Sequence, residues 1–228
     1  MNSKYIRAIL CGMLGVGFAS VAWSHGVAGS DATYLKSLSG VHFLPLMYLG
    51  AKHMVTGYDH LLFLAGVIFF LYRLKDVALY ATLFAVGHSF TLLLGVLAGV
   101  HANAYIVDAT IGFSVVYKAF ENLGGFRRMG ININSRFAVL AFGLAHGFGL
   151  STKLQALALS REGLVGNIVA FNLGVELGQL VALTCILLAF QLWRRGGSFE
   201  RGGYVANVFI MTAGFVLVGY QLTGYFVV

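Results

Sequence analysis

Residues 163–193 read GLVGNIVAFNLGVELGQLVALTCILLAFQLW, and this apolar run is the clearest indication of the fold class. Its only charged side chain is Glu176, at its middle. A helix needs about 20 consecutive apolar residues to cross a bilayer, and this run is longer. It therefore predicts a transmembrane helix with one ionisable group buried in it.

The composition extends this prediction to the whole chain. Of 228 residues, 59% are hydrophobic and 10% are charged, and the mean hydropathy is +0.84. Soluble domains carry about a quarter charged residues. The length allows roughly six or seven spans and leaves no room for a nucleic-acid-binding domain. We therefore interpret the net charge of +7 as a signature of membrane topology.

The other apolar runs, separated by short polar turns, predict further helices. The fold class is thus all-α, a polytopic membrane bundle with six transmembrane helices in a membrane domain at 57–228. Glycines within the helices predict close helix packing, because small residues let helix backbones approach in lipid. The predicted helices lie near 57–72, 76–99, 104–122, 135–158, 163–193 and 204–226, and the glycines are Gly143, Gly147, Gly149, Gly174 and Gly178.

The N-terminus has the layout of a secretory signal. Lys4 and Arg7 precede an apolar stretch, and small residues at 22 and 24 suit a signal peptidase, which predicts a signal peptide at 1–24. Cleavage would make His25 the first residue, and its α-amine and imidazole could together chelate a divalent metal. An uncleaved anchor, giving seven helices, is the alternative. Residues 25–56 are predicted to form a periplasmic or re-entrant segment.

The loops alternate between basic and nearly uncharged. Lys and Arg collect in the first, third and fifth loops, at 73–75, 127–136 and 194–201. By the positive-inside rule these loops are cytoplasmic. The pattern predicts a bacterial inner-membrane protein with its mature N-terminus and its C-terminus in the periplasm.

Several ionisable side chains lie at membrane depth, where each is costly and therefore a functional hypothesis. His88, His146 and Glu176 lie midway along three predicted helices and so share one depth. On the predicted outer side lie four more, which suggest a path from that face to the centre. These are His53, Asp59, His60 and Asp108.

Helical spacing groups some polar residues. Asn172, Glu176 and Gln179 are four and three positions apart, so they form one stripe that must face the bundle interior. Thr91 is three positions after His88 and can share its face. Gly57 interrupts the two-turn spacing between His53 and His60.

Several motifs in this order resemble the second branch of the HupE/UreJ family, bacterial membrane proteins accessory to hydrogenase and urease. The resemblance implies nickel uptake or delivery, with metalloenzyme maturation proteins as possible partners. The His53 and Asp59-His60 element is also similar to the His-x4-Asp-His signature of nickel/cobalt permeases, although five residues intervene here. The motifs are HMVTGYDHLLF at 53–63, HSFTL at 88–92, Glu121-Asn122, FGLAHGFG at 142–149 and FNLGVELGQ at 171–179.

The leading hypothesis is therefore a permease or delivery protein for a divalent transition metal. It would capture the ion at His25, His53, Asp59 and His60 and pass it to His88, His146 and Glu176. Imidazoles with carboxylates suit nickel or cobalt, and also zinc or Cu(II). Asp108, Asn172, Gln179 and Thr91 would support these ligands.

Two alternatives stay open. One is an intramembrane zinc hydrolase, with three histidines holding zinc and Glu176 as general base. The other is haem held between His88 and His146. Lipid and the metal ion are the expected contacts of the protein, and nucleic acid is not among them.

Overall fold

The computed structural model describes residue 33 and residues 40–156 and 162–227. In this part of the chain every regular element is a helix, which confirms the all-α prediction. The predicted signal peptide at 1–24 and His25 lie outside the described residues. The helices are α1 (Phe43–Thr56), α2 (Tyr58–Ile68), α3 (Leu74–Ala98), α4 (Ala104–Asn122), α5 (Gly125–Arg128), α6 (Ser135–Ala156), α7 (Leu164–Arg194) and α8 (Phe199–Val227).

Four of these helices, α3, α6, α7 and α8, are long and apolar enough to cross a membrane by length and composition. They correspond to four of the predicted spans, and the protein is a helical membrane bundle. Helix α4 is not among the four because it carries Asp108, Lys118 and Glu121. Helix α2 is apolar but short. Six spans remain a prediction.

The first predicted span differs in its bounds from the observed helices. It was expected to begin at 57, but α1 already covers Phe43–Thr56 and lies along α7. Pro45, Lys52 and His53 lower the hydropathy of this segment, so the sequence pattern did not predict a helix there. The helix is stabilised by its packing on α7. The two helices run parallel, since Met47 meets Gly174 and Ala51 meets Gly178.

Gly57 separates α1 from α2. Its backbone is extended, with φ −75° and ψ 106°. Its N–H closes α1 on the carbonyl of His53 at 2.9 Å, and its own carbonyl accepts the first α2 bond from Leu61 at 3.0 Å. Helices α1 and α2 thus form one interrupted path beside α7, and His53 and His60 flank the interruption.

Three helix pairs build the bundle, α1 with α7, α3 with α6, and α4 with α8, and glycines lie at each contact. A Cβ at Gly147 would overlap the carbonyl oxygen of His88, and one at Gly143 would overlap that of Phe84. The predicted close packing through glycines is therefore confirmed. It brings His88 and His146 onto facing helices.

Arg194 fixes the far end of α2. Its guanidinium donates to the carbonyl oxygens of Phe69 at 2.6 Å and Leu71 at 3.1 Å, and it lies 4.2 Å from the ring centre of Tyr72. A cation at a helix C-terminus satisfies orphan carbonyls and complements the helix dipole. The last residue of α7 thereby ties down α2.

Candidate metal centre

Four histidine rings from four helices meet in the middle of the bundle, with His60 at their centre. Its ring centroid lies 4.8 Å from that of His146, 5.2 Å from that of His53 and 6.1 Å from that of His88. His60, His88 and His146 are buried. The histidines of the predicted outer and central groups thus form one cluster, joined through His60.

Asp59 fixes the orientation of the His60 ring. Its Oδ1 lies 2.9 Å from His60 Nδ1 and also accepts the backbone N–H of His60 at 2.9 Å. A carboxylate beside Nδ1 favours the tautomer that carries its proton there. The lone pair of His60 is then on Nε2, which is buried without a hydrogen-bond partner among the described residues.

Ser114 fixes the tautomer of His146 by the same kind of argument. The single hydroxyl hydrogen of Ser114 is donated to the carbonyl oxygen of Ile111 at 2.6 Å. Its oxygen therefore accepts from His146 Nε2, 3.0 Å away, and Nε2 carries the proton. The lone pair of His146 is on Nδ1, another buried atom with no partner in the described part of the chain.

The rings of His53 and His88 also have buried nitrogens. Nε2 of His53 is buried and has no hydrogen-bond partner in residues 40–156 and 162–227. Both ring nitrogens of His88 are also buried and make no hydrogen bond of ordinary geometry there, although the side-chain amide of Asn172 is close enough to interact with this ring. Buried polar atoms in native proteins are almost always satisfied, so a group of unsatisfied nitrogens requires an explanation. A bound cation would satisfy such lone pairs, because neutral imidazole nitrogens are metal ligands.

A small cavity adjoins the cluster. It has a volume of about 10 Å³ and is lined by His53, Asp59, His60, Ile111, His146, Leu150 and Lys153. This is about the space of one water molecule. A bare metal ion fits such a space, whereas a hydrated ion or an organic substrate does not.

The donors do not converge in this conformation. Among the described residues, no three His, Cys, Asp or Glu side chains form a ready metal-binding group. The centroids of His53, His88 and His146 nevertheless lie 4.8 to 6.1 Å from that of His60. Two imidazoles that share a metal at bonds of about 2.1 Å have centroids about 5 to 6 Å apart, so His60 is close enough to each neighbour to share an ion with it. An ion shared by His60 and its neighbours therefore requires the rings to rotate from the orientations seen here.

Glu176 lies beside this cluster and does not line the cavity. Its Oε1 accepts a hydrogen bond from Ser89 at 3.3 Å, and Ser89 accepts one from Asn172 Nδ2 at 2.8 Å. The predicted stripe of Asn172 and Glu176 thus does face the interior. Its contact is Ser89, the residue next to His88.

The remaining predicted supporting residues join helices. Gln179 donates to the carbonyl oxygen of Ala81 at 3.1 Å, and Thr91 donates to that of Leu144 at 2.6 Å. Both bonds fasten α3 to a neighbouring helix. Asp108 is paired with Lys153, and the distance from Oδ1 to Nζ is 2.9 Å.

Sequence reasoning missed Ser114 and Lys153. Ser114 precedes the buried Lys118 by four positions, so the two share the inner face of α4, and this spacing was a usable signal. A lysine near the end of an apolar helix ordinarily extends its side chain outward to the membrane interface. The position of Lys153 beside the histidines depends on Asp108, which lies on another helix.

The comparison with protein families gave a match that covers most of the chain. A family model described as HupE / UreJ protein covers residues 29–228, which include the entire cluster. Comparisons with curated proteins and with solved structures gave no match. Because the match spans far more than half of the sequence, this chain belongs to the HupE/UreJ family.

Proposed function

We propose that the protein is an inner-membrane permease or delivery protein for a divalent transition metal, nickel or cobalt, which it supplies to metalloenzyme assembly. The HupE/UreJ family is associated with nickel/cobalt transport and with urease and hydrogenase accessory function. The observation that carries the proposal is the set of buried, unsatisfied imidazole nitrogens around His60.

The donor set favours this class of ion. Neutral imidazoles bind borderline metals such as nickel, cobalt, copper and zinc, and an all-oxygen site would suit magnesium or calcium instead. Asp59 behind His60 has the arrangement that orients metal-binding histidines and raises their basicity. His53, His60, His88 and His146 would bind the ion, with Asp59 as orienting carboxylate.

The interruption at Gly57 supports a transport role. Membrane transporters commonly place their substrate sites where helices are broken near the middle of the bilayer. Here His53 lies in the last turn of α1 and His60 in the first turn of α2. The cargo ion would therefore sit beside the break.

The other predicted ligands have roles along the path. His25, freed by signal cleavage, would capture the ion on the periplasmic side. Glu176, with Ser89 and Asn172, would offer oxygen atoms next to His88 as the ion leaves the imidazoles. The periplasmic placement of both termini is part of this proposal.

Uptake of radiolabelled nickel and cobalt tests the proposal. Cells expressing wild type should accumulate label, and His88→Ala and Glu176→Gln should lose most of it at matched expression. His101→Ala is the control, because His101 is exposed in the loop between α3 and α4. If both site variants accumulate metal as wild type does, the proposed path is wrong. Absent uptake together with tightly held zinc would point to the intramembrane hydrolase.

Ser114→Ala should weaken metal binding without removing a ligand. Without the hydroxyl, His146 is free to move its proton to Nδ1, the nitrogen proposed to bind the ion. Loss of such a supporting group typically costs about 10- to 100-fold in metal affinity. Titration calorimetry with nickel measures the effect. Thr110→Ala, on the exposed face of the same helix, should bind as wild type, and equal affinities for all three proteins would contradict the tautomer argument.

A further inference from the structure

Lys153 places a positive charge beside the candidate cation cavity. It lines that cavity together with three of the histidines and Asp59. Its side chain is 18% exposed, and that of its partner Asp108 is 6% exposed. An ammonium group in this position repels a metal cation that enters the cavity, because charges interact strongly in a poorly hydrated interior.

Along α6, Lys153 lies between the histidine cluster and one end of the bundle. It is seven residues after His146, which is two turns or about 10 Å nearer the helix end. Side chains on a helix lean towards its N-terminus, so the long arm of Lys153 reaches back towards His146. Asp108 lies in the second turn of α4, at the same end of the bundle.

The charges around the cavity match a divalent ion only when Lys153 is absent. Asp108 does not itself line the cavity but is paired with Lys153, which does. With neutral imidazoles, the carboxylates of Asp59 and Asp108 and the ammonium of Lys153 leave a net charge of −1. Removal of the ammonium leaves −2, which balances a divalent cation. The lysine side chain has four flexible methylene groups and can leave without any movement of the backbone.

We propose that Lys153 is a tethered cation that neutralises Asp108 while the cavity holds no metal and swings out when a divalent ion enters. Asp108 then becomes the carboxylate that balances the ion. This inference rests on the proposed function. It makes Lys153 a determinant of metal affinity and of release, and it gives the Lys153–Asp108 pair a role that packing alone does not require.

Nickel binding by purified variants tests the inference. Lys153→Met removes the competing charge at nearly constant length, so its Kd should fall about tenfold or more below that of wild type. Lys75→Met removes a charge at an exposed position and should leave the Kd unchanged. A Lys153→Met protein that binds nickel no more tightly than Lys75→Met overturns the inference.

A second measurement uses the wild-type protein and so does not depend on the folding of a variant. Lysines are acetylated with an amine-reactive ester, with and without saturating nickel, and quantified by mass spectrometry. Acetylation of Lys153 should rise with nickel, while that of Lys118, paired with Glu121 at 2.6 Å, should not change. Unchanged or reduced acetylation of Lys153 in the saturated protein contradicts the swing.

The outcomes separate this inference from the proposed function. If wild type binds nickel, His60→Ala does not, and Lys153→Met matches wild type, only the tethered-cation inference fails. If neither wild type nor Lys153→Met binds nickel or cobalt, both fail.

Discussion

Replacing His60 with alanine is expected to abolish stoichiometric nickel and cobalt binding by the purified protein. The His60 ring contacts all three of the other clustered histidines, so its loss removes one ligand and also the ring that holds the others together. Loss of a group that only supports a ligand costs about 10- to 100-fold, and loss of this ligand should exceed that range. Equilibrium dialysis with metal analysis measures the bound ion per protein.

The control for His60→Ala is His101→Ala, which removes an exposed imidazole whose Nδ1 contacts only the nearby carbonyl of Gly99. This variant should bind as much metal as wild type. Size-exclusion profiles must match, so that a loss of binding is not a loss of fold. A His60→Ala protein that retains one tightly bound ion per chain would show that the cluster is not the binding site.

Gly174→Ala is expected to disrupt the packing of α1 on α7. A Cβ at this position would overlap the carbonyl oxygen of Met47 and lie 2.7 Å from its carbonyl carbon and 2.9 Å from its Cα. The obstacle is backbone, so no side-chain rotation relieves it and the helices must separate. Overpacking costs about 1 to 3 kcal/mol, and more where the structure cannot adjust. A thermal ramp followed by size exclusion in detergent should show a lower melting temperature and a smaller folded fraction.

Gly219→Ala is the matched control on α8. An added Cβ there meets no atom within 4 Å. Alanine is also the better helix former by about 1 kcal/mol, so this variant should be as stable as wild type or slightly more stable. If Gly174→Ala has the same melting temperature as Gly219→Ala, the close approach of α1 and α7 is not needed for stability.

The depth of the central histidines was predictable from sequence. His88 and His146 lie midway along unbroken apolar runs, so helix geometry alone puts them at one level, and the structure brings both to His60. The inward stripe of Asn172 and Glu176 was predictable for the same reason. The residue spacing within a single helix predicts these features, because neither depends on how two helices pack.

Features that depend on two helices were not predictable in this way. Helix α1 is only moderately apolar, and its burial against α7 depends on Gly50 and Gly174 meeting backbone of the opposite helix. A contact between two helices leaves no periodic pattern in the sequence. The sequence therefore predicted that the first helix begins at Gly57 and that His53 and His60 lie on the outer side, away from the central histidines. In the structure His60 contacts both central histidines, and His53 joins the cluster through His60.

The position of Lys153 could not be predicted for the same reason, because its charge is paired with a residue on another helix. A lysine three residues from the end of an apolar helix ordinarily extends towards the interface. It turns inward here because Asp108 on α4 supplies the opposite charge. Ser114 likewise gains its role only from His146 on another helix.

The break at Gly57 also governs how the site responds to the surrounding lipid. A helix that is too long or too short for its bilayer tilts, and its two ends then shift in depth. His53 and His60 are seven residues apart across Gly57, and this short segment lies far from the outer ends of α1 and α2. Acyl chains of different length should therefore change helix tilt while leaving these two imidazoles in register, so metal affinity should be insensitive to bilayer thickness.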